Sequence, residues 1–391
     1  MAILTLNAGS SSLKFSLFRR SGSALHCTVR GAIRDLDGTP RFEAFRADGQ
    51  SVEDGPLETA NHEQAIGFLL QWLKQHRPEL RLDAAGHRIV HGGSGFSVPV
   101  VLDDSVLETL RTFVPLAPLH MPHNLAAIEA LRGMAPKLPQ VACFDTAFHR
   151  TLPEVEQRYA LPAEWYRRGV RHYGFHGLSY EYIASVMPQH LGDAAKGRVI
   201  VAHLGHGASL CAMIERRSVA TTMGFTPLDG IPMATRPGAL DPGIVPWMMR
   251  EAGLSVAEVD DLLNHRSGLL GLSGISGDVR TLLADARPEA AGAIDYFIHH
   301  TARALGSLAA AMGGLDALVF TAGIGEHAAT VREHICRQAA WLGIRLDAAA
   351  NRANHIRIST ADSPVSAWVI PTDEERIIAT HTARLIEAQH A

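Results

Sequence analysis

Three short stretches set glycines and polar side chains at the end of apolar runs, where backbone and side-chain donors could meet a ligand: "LNAGSSSLKF" (6–15), "VAHLGHGASL" (201–210) and "VFTAGIGEHA" (319–328). Small residues let backbone N–H groups approach an anion and serine hydroxyls add donors, so the first stretch could cradle a phosphate with Lys14 as counter-charge. A hairpin turn followed by a surface lysine accounts for it equally well. In the second, His203 and His206 could be metal ligands, part of a phosphate turn, or part of an ordinary turn. Their spacing of three falls on a turn, with no HExxH frame and no nearby carboxylate, which weighs against a metal-dependent hydrolase. The third spaces Gly323, Gly325 and Ala328 as GxGxxA, the spacing of a dinucleotide site. No acidic residue ends a following strand at the required offset, so what remains is a helix N-terminus behind glycines that can hold part of a nucleotide. A GxxxxGK[ST] P-loop is absent from the sequence.

The elements that must position these stretches follow from apolar periodicity. After the first two turns the apolar pattern resumes at once as "LKFSLF" and "LCAMI", which predicts strand, tight turn, strand. The third runs on into Val331, Ile335 and Ala339 at helical spacing, closed by Gly343. Aligning "LNAGSSSL" with "LGHGASL" gives a weak internal repeat, the mark of two related halves. "AAGHRIVHGG" and "PQVACFDTAF" read as strands that end in polar turns. "NHEQAIGFLLQWLKQH", "NLAAIEALRGM" and "YFIHHTARALGSLAAAM" read as helices, and this alternation argues for an α/β class. The stretch 225–246, "FTPLDGIPMATRPGALDPGIVP", has no period, and long structureless loops in compact domains are usually functional. Near the C-terminus, Thr372 and Glu375 form a T-x-x-E capping box that places Glu374 in a first helical turn.

At 391 residues, with 47% hydrophobic and 19% charged content, the chain is long enough for two cores, with a boundary expected soon after "CFDTAF". A formal net charge of -4 gives no chain-wide basic footprint for nucleic acid or an anionic membrane, so an anionic ligand must be small and held by a few placed groups. The first residues lack a basic n-region and a cleavage pattern, and no apolar run is long enough to span a bilayer, so a soluble, cytoplasmic protein is expected. Cys27, Cys143, Cys211 and Cys336 are scattered without CxxC spacing, as expected of buried thiols in a reducing compartment.

The two hairpins and the strand-to-helix glycine turn resemble the actin and sugar-kinase superfold. More specifically, "LNAGSSSLKF" and "VAHLGHGASL" are similar to the two signatures of the acetate kinase family. The similarity continues through "HRIVHGG", "PLHMPHN", "FDTAFH", "YGFHGLSY", "TPLDGIPMATRPG", "SGDVR", "FTAGIGE" and "IPTDEERIIA". The resemblance implies two duplicated actin/sugar-kinase-like (ribonuclease H-like) α/β domains with a cleft between them. Residues 1–147 would form the first, with a C-terminal helix at 376–391 packing back on it, and residues 148–375 the second. It further implies reversible phosphoryl transfer from ATP to a short carboxylic acid with Mg²⁺, or Mn²⁺, giving an acyl phosphate and ADP. Small-molecule partners, a homodimer and domain closure around the substrates are implied too.

By the same resemblance, Arg88 and Arg236 clamp carboxylate or phosphoryl oxygens, and each guanidinium can do so bidentately. His176 stabilises equatorial phosphoryl oxygens, with His120 in support. Asp145 orients the acceptor or holds a water of the metal, since a carboxylate acceptor needs no base. Asn7 and Glu374 contact the metal, as suits an ion that takes few protein oxygens. For Glu374 the helix cap is a plain alternative. ATP contacts carried over are Lys14; His203, Leu204, Gly205, His206 and Gly207; Asp278, Val279 and Arg280; and Gly323, Ile324, Gly325, Glu326 and His327. Val90, Leu119, Phe175 and Pro227 would form the acyl pocket, although each is also a credible core residue. Acetate and propionate both remain open as acceptors.

The chain departs from the family pattern at several places. His206 and His327 stand where asparagine is usual, "HMPHN" replaces "HNPPN", and "ATRPGALDP" replaces "GTRSGDLDP" around Arg236. These changes leave open a nucleotide-binding paralogue that has lost turnover. An imidazole beside polyphosphate should have a raised pKa, so His206 predicts a KM for ATP that worsens as pH rises through neutrality.

Overall fold

The computed structural model describes residues 1–391 apart from Ser23, Asp37, Ala60 and Ala391. The chain divides into two compact units, Met1–Ala147 with Asp373–Ala391, and Phe148–Thr372. The chain re-enters the first unit at Asp373, ahead of position 376 assigned from sequence, because its last helix already begins at Glu374.

Among the described residues, the first unit has an eight-stranded sheet in the order β5-β4-β3-β2-β1-β6-β8-β7. The strands are β1 (Ala2–Ala8), β2 (Leu13–Ser21), β3 (Ala24–Arg34), β4 (Arg41–Arg46), β5 (Ser51–Pro56), β6 (Ala84–Ile89), β7 (Val100–Val101) and β8 (Gln140–Phe144). β1 is buried along most of its length and runs parallel to β6, which runs parallel to β8. Such near-continuous apolar strands are covered on both faces. On one face Leu4, Leu6, Leu13 and Phe15 pack on Leu69 and Trp72 of helix His62–His76 and Leu131 of helix Met121–Met134. On the other, Ile3 and Phe18 pack on Ala379 and Ala383 of helix Glu374–His390.

The second unit carries, among the described residues, a five-stranded sheet ordered β11-β10-β9-β12-β13. Its strands are β9 (Val199–Leu204), β10 (Ala208–Ile214), β11 (Arg217–Thr221), β12 (Ala317–Thr321) and β13 (Ser366–Val369). Three antiparallel strands followed by two parallel ones repeat the sense of β3-β2-β1-β6-β8 in the first unit. Both predicted hairpins are present, with turns of unlike length: Gly9 N–H donates to the Ser12 carbonyl at 2.8 Å, and Gly205 N–H to the Gly207 carbonyl at 3.1 Å. Val199, Val201 and Val319 pack on Tyr180, Ile183 and Met187 of helix Gly177–Leu191, while the long helix Pro288–Met312 lies against β10. Between β11 and helix Ile244–Glu251 the unperiodic segment forms neither helix nor strand. It is nevertheless fixed by backbone bonds: Met233 N–H to Arg236 O at 2.9 Å, Ala239 N–H to Gly230 O at 2.8 Å, and Leu269 N–H to Met233 O at 2.9 Å.

The capping box expected at Thr372 and Glu375 is not what starts the last helix. Asp373 Oδ1 accepts the Arg376 N–H at 3.0 Å, and the Thr372 hydroxyl is bonded to Ser179 Oγ at 2.9 Å. An aspartate immediately before the helix satisfies the orphan N–H more directly than the threonine before it. Among the described residues, no helix is long and apolar enough to cross a membrane.

Gly86 in β6 lies where helix Glu374–His390 crosses the sheet, and a Cβ there would run into Thr382 Oγ1 and Ile378 Cγ2. Overpacking of this kind costs about 1–3 kcal/mol. Gly86→Ala should lower the midpoint of thermal unfolding, whereas Gly133→Ala, with nothing within 4 Å of its added methyl, should leave it unchanged or raised.

Candidate active site

In the first unit the ends of neighbouring strands bring Arg88 and Asp145 together. Arg88 is the penultimate residue of β6, and Asp145 follows β8 directly. The pair is two-pronged: Arg88 Nε donates to Oδ1 at 3.1 Å and Nη2 to Oδ2 at 2.5 Å. Arg88 Nη1 also donates to Asn7 Oδ1 at 3.2 Å. Burial works against the Arg88 charge, but the carboxylates of Asp145, Glu374 and Glu375 outweigh it and push its pKa above the ordinary value.

Glu374, at the first position of the last helix, joins this group. Part of its surface is open to solvent, yet the protein around the carboxyl is dense. That burial pushes its pKa up to about 7, with Arg88 opposing and Asp145 and Glu375 adding to the rise. Lys14 pairs with Asn7 across the β1–β2 hairpin and also opposes the rise in Glu374. A carboxyl that burial keeps from ionising readily, with an amide oxygen in the same group, offers the hard oxygens that a divalent cation prefers.

In the second unit the polar groups form a chain. His176, at φ 59°, precedes helix Gly177–Leu191, and its Nδ1 lies 2.9 Å from Ser209 Oγ. Tyr180 Oη lies 2.5 Å from the same hydroxyl. His203 Nδ1 is 2.8 Å from Ser179 Oγ, and its ring stacks on that of His176 with centroids 4.2 Å apart. The serines therefore set both imidazoles. A Cβ built on Gly207 would lie 3.1 Å from Arg236 Nη2 and 3.1 Å from His176 Nε2, so the turn, the guanidinium and the imidazole converge. Arg236 is held by a bond from Nη1 to the Pro227 carbonyl at 2.8 Å.

The Gly205–Gly207 turn also faces the strand-to-helix turn after β12, since a Cβ on Gly205 would lie 3.6 Å from Ala322 Cβ. Ala322 has φ 64°, and its N–H is taken by Glu326 Oε1 at 2.9 Å, which also accepts the Thr372 N–H at 3.1 Å. That carboxylate therefore orders the turn. Buried Arg332 does the same from behind, donating to the Gly325 and Glu326 carbonyls at 2.9 Å each. Asp278 caps the helix Val279–Ala284 through the Thr281 N–H at 3.0 Å, while the Arg280 side chain is 89% exposed. His327 is largely exposed.

The family model described as the Acetokinase family matches residues 2–380. The chain belongs to the acetokinase family and is a kinase. It is 54% identical over 391 residues to the acetate kinase of Rhodopseudomonas palustris (strain ATCC BAA-98 / CGA009), with 98% of each chain covered. A propionate kinase structure from Francisella tularensis subsp. tularensis SCHU S4 is similar at 37% identity and TM-score 0.92, covering 98% of this chain and 99% of that one. Porphyromonas gingivalis acetate kinase is similar at 36% identity and TM-score 0.88, with the same coverage.

Within the acetokinase chain the remaining candidates fall as follows. His120 stands at the N-terminus of helix Met121–Met134. Of the acyl-pocket candidates, Val90 and Phe175 are buried at 3% and 1% exposure, while Leu119 and Pro227 are half-buried. Ser179, Ser209 and Tyr180 were not singled out from sequence, although all three lie inside the motifs; their roles depend on a strand and a helix meeting, which spacing along the chain does not encode.

The metal-ligand alternative for His203 and His206, already disfavoured by their spacing on a turn, gains nothing from the structure, because His203 is engaged with Ser179 and His176. For His206, the protein around the ring works against the rise that polyphosphate would bring. Burial and the Arg236 charge lower its pKa, outweighing Asp278. A histidine depressed below its ordinary value is neutral at pH 7 and gains its proton only in more acidic solution. If bound polyphosphate overcomes burial and the Arg236 charge and brings a proton onto His206, the KM for ATP should worsen as pH rises through neutrality and His206→Asn should remove the trend; a flat wild-type profile would show that burial and Arg236 keep the ring neutral in the complex too.

Asp145 spends both oxygens on Arg88, so replacing it frees the guanidinium to turn. Asp145→Asn should lower kcat by about 10²-fold in a protein whose circular dichroism matches wild type.

Proposed function

We propose that this chain transfers the γ-phosphoryl group of ATP reversibly to acetate, giving acetyl phosphate and ADP, by direct in-line displacement. The observation that supports this most is the convergence of Arg236 and His176 Nε2 on the Gly207 turn, donors placed for an anion. An acetate carboxylate is ionised at neutral pH, so the task is to bring two anions together, and placed cations serve it better than a base. Asp145 fits that logic, because its engagement with Arg88 makes it an orienting group.

In this reading Arg88 binds the acceptor carboxylate, and Asp145 fixes the plane of its guanidinium. Arg236 and His176 hold the equatorial phosphoryl oxygens, with Ser209 setting the imidazole and His120 in support. The Lys14 side chain, the His203–Gly207 turn, the Asp278–Arg280 segment and the Gly323–His327 turn bind the nucleotide, with the Glu326 carboxylate ordering the last of these. Asn7 and Glu374 would hold Mg²⁺, for which Mn²⁺ could substitute. Bound there, the cation neutralises phosphate charge. Cation binding also favours ionised Glu374 over the neutral acid that its enclosure promotes. Val90, Leu119, Phe175 and Pro227 supply the apolar wall of the acyl site.

Propionate is kept as a second acceptor because one extra methylene changes binding in an apolar pocket by only about 1–3 kcal/mol. The similarity to a propionate kinase favours keeping it. A homodimer and a cytoplasmic location complete the proposal. Helix Ile244–Glu251, which buries none of its residues and leaves Trp247 56% exposed, supports self-association.

Purified protein with ATP, MgCl₂ and acetate should yield acetyl phosphate, trapped as its hydroxamate. Formate, propionate and butyrate in parallel should rank below acetate. ATP binding without hydroxamate from any acid would identify a nucleotide-binding paralogue instead.

A further inference from the structure

The parallel pairing of β1 with β6 runs from Ile3↔Ala84 to Leu6↔His87 and stops there. Both strands continue, Asn7 and Ala8 pairing only with β2 and Arg88 and Ile89 only with β8, so the two ends no longer pair with each other. Between these ends lies the side chain of Asn124, 2% exposed. Its Oδ1 accepts the Val90 N–H at 3.0 Å, and its Nδ2 donates to the Ala8 carbonyl at 2.8 Å. The side chain carries one acceptor and one donor on a planar amide, as a peptide group does.

Resting on the phosphotransfer reading above, we propose that Asn124 is a positioning residue for the acceptor site: its amide substitutes for the missing β1–β6 rung and sets the distance between Asn7 and Arg88. Ala8 is bonded directly to Asn7, and Val90 lies two residues beyond Arg88, so both contacts fall on the backbone that aims these side chains. Asn124 is itself fixed, because its N–H donates to the His120 carbonyl at 3.1 Å in the first turn of helix Met121–Met134. The Arg88 Nη1 bond to Asn7 Oδ1 at 3.2 Å spans the same gap. Loss of the amide leaves the Arg88–Asn7 bond as a remaining link between the two ends beyond the Leu6↔His87 pair. Other side chains do not fit the place: ionised aspartate has no donor for Ala8, leucine offers neither bond, and glutamine is a methylene too long.

The test uses the full chain as wild type, Asn124→Ala, Asn124→Asp and the control Ile128→Val, which trims a fully buried apolar side chain on the same helix. Wild-type hydroxamate formation establishes phosphotransfer first, so failure of that reading is seen separately. Asn124→Asp should lower kcat about tenfold and raise the acetate KM several-fold, and Asn124→Ala should lower kcat about 10²-fold. In both, the KM for ATP should change less than the KM for acetate, because the His203–Gly207, Asp278–Arg280 and Gly323–His327 segments assigned to the nucleotide belong to the second unit. Ile128→Val should lower the melting temperature and leave all kinetic constants unchanged. If the Asn124 variants behave like the control, with a lower melting temperature but kcat and acetate KM within about twofold of wild type, Asn124 is purely structural and the proposal is wrong. Should Asn124→Ala not fold, Asn124→Asp and Asn124→Ser decide by the same two constants.

Discussion

A guanidinium shielded from solvent and clasped by a carboxylate constrains the rest of the first unit. Arg88 and Asp145 are 18% and 1% exposed in their side chains, and neither could be held there alone, since an unpaired buried charge is strongly destabilising. The pair forms only if the ends of β6 and β8 lie side by side and in register. That in turn requires a central parallel sheet covered on both faces. The cost of enclosing this group appears on a third residue, Glu374, whose burial, with Asp145 and Glu375 adding to it, keeps its carboxyl from ionising readily. Ground-state electrostatic tension of this kind suits a site whose substrates are a carboxylate and a polyphosphate, because the incoming ligands and cation reset the balance.

The second unit meets the same requirement by other means. Where the first uses an ion pair, the second uses hydroxyl-anchored imidazoles: Ser209 for His176 and Ser179 for His203. Each serine hydroxyl occupies Nδ1 of its imidazole and can serve as donor or acceptor there, so Nε2 is the ring nitrogen turned away from the serine. The close approach of Arg236 and His176 to the turn is possible because residue 207 has no side chain. Glycine there is a requirement of approach, which is also how the sequence was read.

Both hairpins, the helices flanking β1 and the strand-to-helix turn after β12 were legible in the sequence, because each is written in local periodicity and turn chemistry. The hairpin at "GHGASL" was read from the apolar runs on either side of it, whereas the closeness of Arg236 to Gly207 was not legible there. What was illegible depends on contacts between distant segments. The T-x-x-E pattern at Thr372 is a valid cap signal, but Thr372 is drawn to Ser179, and Asp373 caps in its place. The pKa of His206 was read from the polyphosphate alone, and the protein and guanidinium around the ring, which oppose that rise, come from segments distant in sequence. Asn124 gave no signal because its partners, Ala8 and Val90, are backbone atoms from two other elements.

The departures around Arg236 can be weighed against the geometry of the loop. Ala234 donates its N–H to the His206 carbonyl at 3.2 Å, a backbone bond indifferent to the side chain. Its methyl has a place because residue 277 is glycine: a Cβ there would lie 3.1 Å from that of Ala234. Pro237 has no N–H, and the turn bond in this stretch is made by its neighbours, from Met233 N–H to the Arg236 carbonyl. Ala239 is exposed and contributes its N–H to Gly230, which any residue except proline would do. Gly268, at φ 60°, packs directly on the backbone of Met233 and Arg236. The course of the loop is thus set by main-chain bonds and by glycines at 268 and 277, and the three substituted side chains lie outside that framework. Retention of Arg236 in a loop built this way favours turnover over a binding-only role, since a chain released from catalysis would have no reason to keep the guanidinium anchored to the Pro227 carbonyl and aimed at the glycine turn.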